Sequence, residues 1–130
     1  MKYAVLGSRI LLGLIYTVFG LNFFFHFLPQ PPLNEKAVSF IMALVNSGYA
    51  MNLVKVVEVS SGLLLLSGFY SPLALVLSAP ITINIFLFHA FLAPENGGMI
   101  MPTVMVILSV ILAIGFKKNY SGVLSQKPIE

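Results

Sequence analysis

A base and an acid three residues apart, Lys55 and Glu58, lie in an otherwise apolar run that ends near Gly68. On a helix, residues three apart share a face, so the ammonium and the carboxylate can meet. Ionisable groups at membrane depth are costly. They face a protein interior and mark a proton-handling or headgroup site, or else clamp helices together. Glu58 can exchange a proton or accept hydrogen bonds. His89, whose neutral ring both donates and accepts, is the second candidate for proton exchange. Asn22, His26, Lys55 and Asn84 are the candidates for binding a cofactor or ligand. His26 sits in Phe23-Phe24-Phe25-His26-Phe27, which also fits an interfacial aromatic belt.

Other chemistry is thin. The two histidines and Glu58 come from three separate segments without ligand spacing, so no metal site is expected. No nucleotide-binding loop or nucleophile–base motif is present. The chain has no cysteine. Disulfides and thiol redox chemistry are thereby excluded, and any electron carrier must be a bound cofactor or a partner.

The 130 residues are 58% hydrophobic and 8% charged, with mean hydropathy +0.99. A soluble domain carries about 25% charged residues. The bilayer is therefore the expected solvent, with one domain covering residues 1–130 and room for about four spans of ~20 residues. The formal charge of +3 fits basic flanks of membrane spans better than nucleic acid. Lys2 before an apolar run resembles a signal peptide. However, the run is long, contains Arg9 and ends in bulky aromatics, so it reads as a retained helix.

The fold class expected is all-α: a four-helix transmembrane bundle with a short interfacial or re-entrant helix between helices 1 and 2. The first span runs from Ala4 to Leu28 and ends at Pro29, Pro31 and Pro32. The short helix runs from Asn34, its N-cap, to Gly48, at ~20 Å too short to cross. The second span runs from Met51 to Gly68. After a tight turn the third follows from Pro72 to Leu92, with Pro80 inside it. The Pro94-Glu95-Asn96-Gly97-Gly98 loop leads to the fourth, Met99 to Phe116. A loose polar tail begins at Lys117.

Lys2, Arg9, Lys117, Lys118 and Lys127 fall at one end of this arrangement. The positive-inside rule then places both termini in the cytoplasm of a bacterial-type inner membrane. Counted from the outer helix ends, Asn22, Glu58 and Asn84 lie ~9–12 Å deep and His26, Lys55 and His89 ~3–6 Å deep. Three spans thus feed two polar layers in the outer half. Lys55, Glu58, Ser61, Gly62 and Leu65 share one face of the second span. Asn22 and His26 share a face of the first, opposite Gly13, Thr17 and Gly20, whose small size permits close helix approach. Asn84 and His89 diverge by ~140° on a regular helix.

Ser8-Arg9-Ile10-Leu11-Leu12-Gly13-Leu14-Ile15 with Gly20, Val57-Glu58 through Ser67-Gly68, and Phe88-His89 together resemble the DoxX-like membrane proteins, in order and spacing over nearly the whole chain. Arg9, Glu58, Gly62 and His89 match by position. Ser61-Gly62 stands where a paired glycine is usual, and Pro72 where a basic residue often follows the hairpin turn. The resemblance implies a four-helix integral membrane protein. Some members are named as subunits of a terminal quinol oxidase or a thiosulfate–quinone oxidoreductase.

The expectation is a small multi-pass protein with an outward-facing polar pocket for a quinone-like or lipid-like molecule, as a subunit of a membrane redox complex. Its partners would be membrane lipids and either a redox subunit or a second copy. Two alternatives stand beside it: a transporter or exporter of a small amphiphile, and a structural subunit without a ligand.

Overall fold

A computed structural model describes residues 2–29, 32–95 and 97–126. Among them are five α-helices and no strand: α1 (Lys2–Phe25), α2 (Glu35–Asn46), α3 (Ala50–Ser67), α4 (Ser71–Leu92) and α5 (Ile100–Gly115), then a 3-10 turn, Lys117–Tyr120. Pro31, Asn96 and Lys127, which entered the sequence argument, lie outside the described residues.

α1, α3 and α4 are long and apolar enough to cross a membrane; α5 is an equally apolar helix of 16 residues. Large apolar side chains such as Leu11, Leu63, Val76, Ile83 and Ile107 are exposed on their outer faces. A surface this apolar is expected to meet a nonaqueous partner.

α1 packs against α3 and α5, α3 against α4, and α4 against α5. The core holds Leu12, Ile15 and Tyr16 of α1 with Leu65, Leu75, Leu108 and Leu112. The α1–α3 seam is close because Gly62 has no side chain. A Cβ there would come within 2.7 Å of the Thr17 backbone nitrogen and 2.9 Å of the Gly13 carbonyl oxygen. The small-residue face of α1 is thus an intramolecular seam. Across the core, the Tyr16 hydroxyl hydrogen-bonds the Thr82 hydroxyl, joining α1 to α4.

Helix ends follow local chemistry. α1 stops at Phe25, three residues before the expected Leu28 and ahead of the proline segment. His26 takes a left-handed conformation, φ 53°. The Asn22 side chain then accepts the Leu28 backbone N–H at 2.7 Å, which fixes the chain reversal. α3 ends where Gly68 adopts φ 83° and donates its N–H to the Leu64 carbonyl. α4 continues as one helix through Pro80.

α2 begins as its sequence directs. Asn34 caps it by accepting the Ala37 N–H at 2.9 Å. The same Asn34 donates to the Leu92 carbonyl at 2.5 Å and to the Glu95 carboxylate at 2.6 Å. Phe40 meets Phe88 with ring centroids 5.6 Å apart. α2 is thereby seated on α3 and on the C-terminal end of α4. The segment after α5, expected to be loose, is pinned: the Tyr120 hydroxyl donates to the Pro72 carbonyl at 2.7 Å.

Candidate functional site

Glu58 lies midway along α3 on the buried face that also carries Met51, Ser61, Gly62 and Leu65. Its side chain is 2% exposed, and the Lys55 ammonium donates to its carboxylate at 3.2 Å. Lys55 is 20% exposed, so its stem runs along the helix toward the surface while its head turns back to Glu58. The pair joins a partly exposed side chain to a buried one.

Two hydroxyls surround this position. Ser61, one turn further along α3, is fully buried, and its hydroxyl makes no hydrogen bond within the described residues. The Thr17 hydroxyl, against Gly62 at the α1–α3 seam, is buried and likewise unpaired. Buried hydroxyls are nearly always paired, with protein or with ordered water. This stretch of the seam therefore has unused hydrogen-bonding capacity about one helical turn along α3 from Glu58. Ser61 was placed on the Glu58 face by its spacing but not counted as a site residue; its position three residues after an acid was the available signal.

The remaining candidates separate. Asn22 is 2% exposed and reaches the inner side of α1, where its carboxamide oxygen holds the Leu28 N–H. His89 is half-buried near the end of α4. Its Nδ1 lies 2.9 Å from the Ile85 carbonyl. A carbonyl only accepts, so Nδ1 carries the proton and Nε2 is the acceptor in the neutral ring. Its ring stands edge-on to Phe88, beneath α2.

His26 and Asn84 are exposed. Asn84 does not join a buried layer with Asn22 and Glu58, because the rotation of α4 buries the Ser78–Thr82 stripe instead. His26 lies past the end of α1, in the left-handed reversal, and its side chain points outward. The two three-membered layers expected from depth alone thus reduce to Glu58, Lys55, Asn22 and a half-buried His89.

The latch at the α2–α4 end is a group that sequence reasoning read only as a helix cap. Its carboxylate, Glu95, is exposed, and the Asn34 amide holds its carboxyl below the ordinary carboxylate range. Among the described residues, no three histidine or carboxylate side chains come together as metal ligands.

A groove of about 490 Å³ opens between α4 and α5, roofed by Tyr120. It holds none of the sequence-derived candidates. No protein-family model, curated protein or solved structure matches this chain.

Proposed function

We propose that this chain is a small multi-pass membrane protein of DoxX-like type. α1, α3, α4 and α5 all cross the bilayer as a four-helix bundle, and α2 lies across its outer end. Both termini face the cytoplasm of a bacterial-type inner membrane. The bundle binds a quinone-like molecule beside Glu58 as a subunit of a membrane oxidoreductase. Glu58 accepts or donates the proton and Lys55 sets its charge, with Ser61 one turn further along the same buried face. His89 exchanges protons nearer the surface, and a partner subunit supplies the electrons.

One observation carries this reading: a 2% exposed carboxylate at mid-helix, on the same buried helix face as the unpaired Ser61 hydroxyl. A chain gains little stability from such an arrangement when apolar residues would pack as well. The reading is tested by titrating purified protein in nanodiscs with decylubiquinone. Saturable binding is expected, weakened roughly tenfold or more in Glu58→Gln through loss of a hydrogen bond to a charged group. Absence of binding, or equal binding by both forms, would overturn it.

A structural role is favoured by a different observation. The carboxylate is already paired with Lys55, and Asn22 is committed to the Leu28 backbone. In that case Glu58→Gln changes thermal stability and leaves quinone titrations flat. Orientation is tested separately with single cysteines at Asn46 and Asn119, both exposed, in this cysteine-free chain. A membrane-impermeant maleimide applied from outside is expected to label the first and not the second.

A further inference from the structure

The groove between α4 and α5 is lined by Val76, Ala79 and Ile83 on one wall and Val106, Val110 and Ala113 on the other. Thr82 and Ser109 also line it, yet neither makes it polar. The Thr82 hydroxyl is turned inward onto Tyr16, and the Ser109 hydroxyl, though unpaired among the described residues, is buried beneath the wall's surface. A volume of about 490 Å³ falls within the ~300–1,000 Å³ typical of ligand sites. A polar substrate would find no partner on these walls, whereas a hydrocarbon chain would need none.

One end of the groove differs. There Tyr120 leans over it, fixed by its bond to the Pro72 carbonyl. The turn that carries Tyr120 also carries Lys117 and Lys118, both exposed. Two cations therefore lie on the turn that closes one end of an apolar slot, at the end of the bundle where Val5, near Lys2, meets Gly115. Basic residues beside a cleft between spanning helices are the arrangement that holds anionic lipid headgroups.

We propose that this groove is a binding site for one anionic phospholipid, with an acyl chain between α4 and α5 and the phosphate on Lys117 and Lys118. The proposal rests on the placement of these helices in a bilayer. It does not depend on the quinone reading of Glu58, since no residue is shared between the two sites.

Native mass spectrometry tests it, on the full chain released from detergent with phosphatidylglycerol or with phosphatidylcholine of the same acyl chains. The wild type is expected to keep one phosphatidylglycerol about five- to thirtyfold more often than phosphatidylcholine, the range that two interfacial lysines supply. In Lys117→Gln/Lys118→Gln the two lipids should be retained equally. In Val110→Phe/Ala113→Phe, which fills the groove, both adducts should be lost. Equal retention by the wild type, an unchanged preference without the lysines, or adducts surviving in the filled variant would each overturn the proposal. So would a lipid-free dimer that the filled variant abolishes, which would make a second copy the occupant. Should the filled variant fail to fold, the lysine variant decides alone, because both side chains are exposed. Decylubiquinone binding is expected to be unchanged in both variants.

Discussion

Lys55 gives Glu58 its only ion pair among the described residues, at 3.2 Å. Removing the lysine leaves a buried carboxylate without a partner, whereas replacing both residues removes the charge altogether. Lys55→Met is therefore expected to destabilise the protein by about 1–3 kcal/mol. The double variant Lys55→Met/Glu58→Met should recover most of that loss, as measured by thermal unfolding in one detergent. A double variant as unstable as the single one would show that Glu58 is held by more than this lysine. The pairing was legible because three-residue spacing leaves few other geometries on a helix. The fate of Asn84 was not, since whether it faces the core depends on the rotation of α4, which Ser78 and Thr82 fix by their burial. Nor could the sequence reveal that Asn22 closes a chain reversal. That use of Asn22 exists only because His26 takes a left-handed conformation.

Two glycines on the α1–α3 seam have different neighbours. A Cβ at Gly62 meets backbone, the Thr17 nitrogen at 2.7 Å, while one at Gly20 meets the Val59 Cγ2 methyl at 2.5 Å. Backbone cannot step aside without moving a helix, but a valine methyl has some room to turn. Gly62→Ala is thus expected to cost about 1–3 kcal/mol and Gly20→Ala less, by thermal unfolding. The small-residue spacing made close helix approach readable; its partner was not, since this face of α1 could equally have met the bundle, the short helix or a second subunit. At the α2 end, Asn34→Ala removes a cap, which costs about 1 kcal/mol, and both bonds to the α4 end. Faster amide exchange over 35–46 is the expected sign. The latch also depends on pH. The Glu95 carboxyl is held below its ordinary range in the folded protein. Its contribution is thus complete above the ordinary carboxylate value and lost as pH falls through the depressed one. Protection factors in α2, corrected for intrinsic exchange at each pH, should fall only in acid, and Glu95→Gln should remove that acid dependence.

At the scale of the molecule, the helices differ in length. α5 has 16 residues and α1 has 24. At 1.5 Å per residue α5 spans about 24 Å, short of a ~30 Å hydrocarbon core. With α5 crossing the bilayer as proposed, unfolding temperature is expected to be higher in thinner bilayers than in thick ones when lipid chain length is varied at constant headgroup. The helical architecture was readable from the long apolar runs of the sequence, three of which form helices long and apolar enough to cross a membrane. The groove was not, since it depends on where the turn after α5 folds back, which the Tyr120–Pro72 bond and the packing of Phe116 and Tyr120 on the core accompany. The helix order has a further effect. α1 makes its most extensive contact with α3, not with the helix that follows it. During synthesis α1 emerges roughly 40 residues before α3 is complete, about 2–8 s at ordinary elongation rates. For those seconds the notch around Gly13 and Thr17 is open to any passing segment. Only once α3 is complete can the face bared by Gly62 close over that notch.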